Sequence, residues 1–285
     1  MADNQSSSYD NEACFWSNTP DIDFFMDEQP WVLGQFVWTG FDYLGEPSPY
    51  DTDAWPSHSS VFGIIDLASL PKDRYYLYRS QWNSRDTTLH VLPHWNWKGR
   101  EGEVIPVFVY TSYPSAELFI NGKSQGVREK NDSTLQTRYR LMWNETRYEP
   151  GELKVVAYDE NGNRAAEKII KTAGKPHHLV VTANTDTLAA NGDDLVYFTV
   201  QVADKDGNIV PDDSRCVKFS VTGAGTFKAT ANGDPTSLLP FQNPEMDLFS
   251  GAATAIARSG KSAGEIKFTA SAKGVKPATC IVDVR

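Results

Sequence analysis

The sequence predicts a mainly β chain: two immunoglobulin-like β-sandwiches in tandem, preceded by a single β/α unit. From about residue 88 onward, short runs alternate apolar and polar residues, the period of strands with one buried face. Asn121-Gly122, Asn161-Gly162 and Asp206-Gly207 punctuate those runs, and such dipeptides turn hairpins because they tolerate positive φ. Residues 1–86 read differently, being dense in Pro, Asp and Trp with one continuous apolar run and one helical period. A chain of 285 residues suits two or three domains, each able to bury its own core.

In the first segment, 1–86, "GQFVWTGFDYLGEPSPY" holds a strand over 34–43. Phe36, Val37 and Trp38 are consecutive, as in a strand covered on both faces, the situation of parallel sheets. In such folds the chemistry gathers at the carboxyl ends of strands, here Trp38, Asp42 and Tyr43. A helix follows near 71–82, with Ser69 as cap, Pro71 in its first turn, and Tyr75, Tyr78 and Trp82 on one stripe. That stripe reads as packing against a sheet.

The second segment, 87–173, contains "TLHVL", "VIPVFVYT", "AELFINGKSQG", "RYRLMW", "GELKVVAYDENGN" and "AAEKIIK", with period two throughout, as in an antiparallel sandwich. "TAGKPHH", 172–178, is the linker. The third segment, 177–285, opens its alternation with Val196, Phe198, Val200 and Val202 pointing one way, and its last run, "ATCIVDV", reads as a paired strand. The stretch 230–249 is long for a sandwich loop, and is either functional or pinned by its own side chains.

Composition excludes several classes. The net charge is −10 and the basic residues are scattered, so no basic stripe awaits phosphates and nucleic acid is not an expected partner. No apolar run approaches the length of a membrane helix, and the first residues lack the apolar core of a signal peptide. Eight Trp, 12 Tyr and 14 Phe suit sandwich cores and sugar-stacking surfaces alike. Cys14, Cys216 and Cys280 show no paired metal-ligand spacing; Cys216 and Cys280 could meet in one sandwich or remain free, buried strand residues. His90 and His94 are four apart, but Pro93 denies them a shared helix face, so no metal or other cofactor is expected. Two acid pairs, Asp42 with Glu46 and Asp51 with Asp53, lie in turn-rich stretches where solvation or capping explains them.

Taken together, "GQFVWTGFDYLGEPSPY", "SSVFGIIDLASLPKDRYYLYRSQW", "LHVLPHWNW", "AELFINGKSQG" with "YEPGELKVVAYDENG", and "VADKDGNIVPD" with "NGDPTS" resemble, in that order, the carboxyl-terminal part of glycoside hydrolase family 2 enzymes, most closely bacterial β-galactosidases. The resemblance covers most of residues 15–285. It implies that residues 1–86 are the terminal strand and helix of a catalytic (β/α)8 barrel, and that the sandwiches are accessory domains, the last similar to Ig-like repeats of bacterial surface proteins such as invasins. Family members retain anomeric configuration using two glutamates, an acid/base and a nucleophile, on the fourth and seventh barrel strands. Neither motif occurs here, so the resemblance assigns no catalytic residue and implies an inactive chain. Trp38 matches the tryptophan lining the floor of the sugar site. Asp42, in the same motif, would position a neighbouring group or a sugar hydroxyl. Metal-ligand motifs of some members do not map onto "SVFGIID".

The implied partner is therefore a β-galactoside or related glycan, met through the rest of a barrel in a periplasmic or extracellular parent enzyme. The alternative from another class is a carbohydrate-binding or surface-attachment module formed by the two sandwiches. A single strand outside its barrel has two unpaired edges. Residues 1–86 are thus expected to dock their aromatic stripe on the first sandwich, with self-association as a further outcome.

Overall fold

A computed structural model describes residues 19–47 and 55–285; Cys14, Asp51 and Asp53 lie outside them. The fold is mainly β and divides into two compact units. One comprises His58–Ile65 and Pro71–Thr172 with the described residues up to 47, the other Ala173–Arg285 with Trp55–Ser57 and Asp66–Leu70.

In the first unit, helix α1 (Pro20–Asp27) begins with Pro20 at a position that needs no N–H donor, and its first turn carries Asp21 and Asp23 against the helix dipole. Helix α2 (Asp73–Trp82) follows. The sandwich comprises β1 (Leu89–Leu92), β2 (Val107–Thr111), β3 (Ser115–Ile120), β4 (Lys123–Glu129), the one-turn helix α3 (Leu135–Tyr139), β5 (Leu141–Trp143), β6 (Glu152–Tyr158) and β7 (Arg164–Lys171). The strands pair antiparallel in the orders β1-β2-β5 and β4-β3-β6-β7. Between the sheets lies a core of Val91, Val107, Val109, Leu141 and Trp143 against Ala116, Leu118, Ile120, Leu153 and Val155. Asn121 and Gly122, at φ 48° and 79°, turn β3 into β4 as Asn-Gly hairpins do.

Strand β2 is buried on both faces. Val107 and Val109 enter the sandwich core, whereas Phe108 and Tyr110 join Phe24, Leu77, Tyr78, Leu92 and Tyr139 in a second cluster beneath α1 and α2. Phe24 meets Tyr78, Trp82 and Tyr139 edge to face, with centroids 5.3, 5.7 and 5.1 Å away. Polar contacts hold α1 down as well. The Tyr78 hydroxyl donates to Asp23 at 2.6 Å, the Tyr139 hydroxyl donates to Glu28 at 2.9 Å, and the buried Arg140 guanidinium pairs with the buried Asp21 carboxylate. Helix α2 does dock on the first sandwich, but through Leu77 and Tyr78; of the expected stripe only Tyr78 is buried, while Tyr75 is half-buried and Trp82 is exposed.

Four local expectations are corrected. No strand forms over 34–43; the backbone makes only isolated bridges, Phe41 to Ile65 and Leu44 to Ser59, one parallel and one antiparallel, so its hydrogen bonds to residues 58–65 never build a continuous ladder. Helix α2 starts at Asp73 behind Lys72, without a side-chain cap, while Ser69 sits in a turn at φ 62°. The first residues of "RYRLMW" end α3 rather than start a strand: Thr134 caps that turn through a reciprocal hydrogen bond with Thr137. Period two fails at β2, where every residue is buried.

The second unit contains β8 (His178–Ala183), β9 (Thr187–Leu188), β10 (Leu195–Ala203), β11 (Cys216–Gly223), β12 (Gly225–Ala231), β13 (Glu245–Asp247), β14 (Ala252–Ser259), β15 (Gly264–Ala272) and β16 (Ala278–Val284). Its sheets run β12-β14-β10-β8 and β13-β11-β15-β16-β9. Val196, Phe198, Val200 and Val202 all face the core, where Phe198 stacks on Phe268 at 4.1 Å. The final strand, β16, is paired on both sides, by β15 and by the parallel β9. Cys216 and Cys280 are free and not fully buried, so the disulfide alternative falls. The long loop is pinned: Thr230 N–H donates to Phe241 O at 2.7 Å, and buried Asn232 donates through Nδ2 to Asp247 O at 2.8 Å.

The "DENGN" and "DKDGN" turns share one device. Asp159 Oδ1 accepts from the N–H groups of Asn161 and Asn163, and Asp204 Oδ1 from those of Asp206 and Asn208, while Gly162 and Gly207 take φ 76° and 86°. Asp204 does more, because its Oδ2 also accepts from Gly174 N–H of the linker at 2.8 Å and from Asn208 Nδ2 at 2.9 Å. Burial alone would raise its pKa, but the Gly174, Asn208 and Asp206 donors outweigh it and hold the carboxyl at about 2.

Two outcomes follow from these contacts. Asp21→Ala leaves the Arg140 charge buried without its counterion, and urea unfolding should show a loss of about 3–5 kcal/mol that Asp21→Leu with Arg140→Met largely restores. The folded-state pKa of Asp204 lies below its unfolded value, so its contribution is full above pH ~4 and is lost as pH falls through about 2. The acid limb of the stability profile should therefore flatten in Asp204→Ala, which should also lose about 2 kcal/mol at neutral pH.

Candidate functional site

The sequence-predicted residues Trp38 and Asp42 lie on a segment that runs beside residues 58–65. Ile64 N–H donates to Thr39 O at 3.0 Å, Ile65 N–H to Gly40 O at 2.9 Å, and Asp42 N–H to Ile65 O at 2.9 Å. Farther along, Ser60 N–H donates to Tyr43 O at 2.9 Å, and Gly45 N–H to His58 O at 3.0 Å. The Trp38-Thr39 peptide bond is cis.

The two residues have opposite environments. Trp38 is 64% exposed, and Trp31, Leu33, Phe36, Phe41 and Leu44 around it in sequence are exposed too, Phe36 completely. Asp42 is 8% exposed. Its Oδ2 lies 2.5 Å from Lys72 Nζ, and its Oδ1 accepts the Gly63 N–H at 2.8 Å. Lys72 also donates through Nζ to Val61 O at 3.0 Å and through its backbone N–H to Ile64 O at 2.9 Å. Burial pushes the Asp42 carboxyl up, more than the Lys72 ammonium and the Gly63 N–H bring it back. Asp42 therefore works inward, fastening the turn to the residue that precedes α2, while Trp38 presents an open aromatic surface.

Sequence reasoning did not find Lys72 or Gly63. Gly63 is fixed by space: a Cβ there would lie 2.3 Å from the Asp42 nitrogen. The available signal was a carboxylate in an apolar stretch, which demands a cation or several N–H donors when buried. Tyr43 meets Phe62 edge to face at 5.8 Å, and its hydroxyl donates to Glu46. Asp42 and Glu46 are thus each occupied by a different partner.

The histidines do not converge. His90 Nε2 bonds Asp73 at 2.6 Å and its ring stacks on Tyr76 at 3.9 Å, whereas His94 stacks on Trp97 at 4.4 Å. Among the described residues, no group of three or more His, Cys, Asp or Glu side chains could hold a metal ion. No helix among them is long and apolar enough to cross a membrane.

Residues 179–281 match the family model described as glycoside hydrolase family 2 C-terminal domain 5, and residues 102–166 match a domain of unknown function, DUF4982. The β-galactosidase BoGH2A of Bacteroides ovatus is 41% identical over 274 residues, covering 95% of this chain and 31% of that protein. A β-glucuronidase of Formosa agariphila is 24% identical over 240 residues, covering 83% of this chain and 23% of its own length. Among solved structures, a β-glycosidase from Bacteroides vulgatus superposes with a TM-score of 0.87 at 31% identity, covering 98% of this chain and 34% of that one. A glycosyl hydrolase family 2 member from Bacteroides cellulosilyticus gives 0.80 at 28% identity, with 91% and 37% covered. The chain thus spans about a third or less of the length of the relatives it matches.

The site yields one direct expectation. Gly63→Ala should force the 39–46 turn off Asp42, and amide exchange at Asp42, Ile64 and Ile65 should accelerate at least tenfold while β10 of the other unit stays protected.

Proposed function

Since the chain belongs to glycoside hydrolase family 2 and corresponds to a carboxyl-terminal portion of its members, we propose that it is part of a retaining β-galactosidase that hydrolyses terminal β-galactosides. In this reading the acid/base and nucleophile glutamates are supplied by other parts of the polypeptide, some 5–5.5 Å apart as the retaining mechanism requires. This chain supplies Trp38 as an apolar floor for the sugar, since pyranose C–H faces pack on aromatic rings. Asp42 is a positioning residue: it holds the Trp38 turn through Lys72 and Gly63. The domain boundaries 1–86, 87–173 and 177–285, and a periplasmic or extracellular location, are part of the same proposal.

The observation that carries it is the 41% identity to a β-galactosidase across 95% of the chain, which includes the exposed Trp38 and its buried anchor. Support for galactose over glucuronic acid comes from that relative's name, the β-glucuronidase named above being less similar. The alternative, a glycan-binding module made of the sandwiches, has less behind it. Among their described residues Phe241 is the one aromatic in the exposed hydrophobic set, at 36%, and Trp97 has His94 stacked on its ring and the Arg100 guanidinium 5.2 Å from its centroid.

The test uses the isolated chain and the parent enzyme side by side. The chain alone should give no turnover of a chromogenic β-galactoside. The parent should prefer that substrate to the matching β-glucuronide, and Trp38→Ala in the parent should lower kcat/KM about tenfold to a hundredfold. Enzyme-like turnover by the chain, or a parent preferring glucuronides, defeats the reading. In the isolated chain the exposed apolar residues of 31–44 are free for self-association, which light scattering over a concentration series will read.

A further inference from the structure

The dipeptide His177-His178 closes the linker and takes no part in the site described above. Consecutive residues of a regular strand point to opposite faces, so their side chains do not meet. Here they do: Nδ1 of His177 lies 3.1 Å from Nδ1 of His178, and the rings stand edge to face at 83° with centroids 5.3 Å apart. The backbone accounts for this. His177 lies just before β8, with its N–H on Ala203 O and its carbonyl accepting from Lys276 N–H, whereas His178 opens β8 opposite Ala203 and bridges to Lys276. Both rings are half-buried, and among the described residues neither has another hydrogen-bond partner.

We propose that this pair is a two-point chelate for a divalent transition-metal ion of the Ni(II) or Cu(II) type. Imidazole nitrogens bind such ions at about 2.0–2.1 Å, and two nitrogens 3.1 Å apart on bonds of that length subtend roughly 98° at the metal. That is close to the cis angle of a square-planar or tetragonal ion, whereas a tetrahedral ion needs a separation of about 3.4 Å. Binding moves the proton shared between the Nδ1 atoms to the Nε2 of its own ring through solvent, so two neutral rings lose no net proton. Adjustment of the two side chains has to aim both Nδ1 lone pairs at the apex of that triangle while keeping their separation. No third His, Cys, Asp or Glu completes the set among the described residues, so water fills the remaining positions. The site is therefore far weaker than a closed four-ligand centre.

The test is calorimetric titration of the full chain with NiCl2 and, separately, ZnCl2, for the wild type, His177→Ala, His178→Ala and His94→Ala. The expected result is one saturable Ni(II) per chain, bound more tightly than Zn(II), weakened at least tenfold by each of the first two substitutions and unchanged by the third. Proton NMR of the wild type supplies a reading independent of the variants: Ni(II) should broaden the His177 and His178 ring resonances before those of His90 and His94. Absence of saturable one-to-one binding, retention of affinity in both single variants, preference for Zn(II), or broadening elsewhere first overturns the proposal.

Discussion

A strand with apolar side chains on both faces must be covered twice, and β2 imposes that requirement on the first unit. The opposite sheet covers Val107 and Val109. Phe108 and Tyr110 point away from it, and burying two aromatic rings is worth roughly 3–6 kcal/mol, comparable with the whole stability of a small domain. The layer of α1 and α2 supplies that cover. It also supplies a charge, since Arg140, whose guanidinium lies 5.6 Å from the centroid of the Tyr110 ring, is buried with Asp21 of α1 as its counterion. Helix α1 is therefore apolar lid and neutralising partner at once, and both roles trace to the same strand.

The candidate site hangs from this layer. Lys72 stands immediately before α2, so fixing α2 on β2 fixes the ammonium that Asp42 engages. Asp42 in turn holds residues 39–45 against 58–65, and Trp38 is exposed at the start of that held turn. A solvent-facing ring at the end of a loop would ordinarily sample many positions. Here the links from β2 through α2, Lys72 and Asp42 are packed rings, an ion pair and backbone hydrogen bonds, and they fix the backbone from Thr39 onward, beside which the Trp38 ring is rooted.

How much of this the sequence disclosed depended on where the relevant partner lay. Alternation revealed β10 and β6, and Asn121-Gly122 revealed the hairpin, because strand period and turn chemistry are local. Consecutive apolar residues were a sound sign of two-sided cover but were read at 36–38, where Phe36 is fully exposed, and passed over at 107–111, where every residue is buried. The pattern says that both faces want cover without saying whether the cover lies in the same chain. Helix α1 is eight residues long and owes its stability to docking, so periodicity had little to show. The Asp42–Lys72 pair spans thirty positions, and nothing local to either residue announces the other. For the candidate site, then, the two residue types were legible, but the inward direction of Asp42 was not.

The conflict left in the structure is informative for that reason. Natural sequences violate local rules mainly where function or an absent partner requires it. Trp31, Leu33, Phe36, Trp38, Phe41 and Leu44 are all exposed, within fourteen residues of sequence, beside an acidic side chain that is carefully buried. A chain adapted to solvent at that place would reverse the two. The same stretch lies inside the alignment with enzymes about three times as long. On the proposed reading, barrel strands take Phe36 and its apolar neighbours, while Trp38, held by the Asp42 anchor, is left to face the sugar.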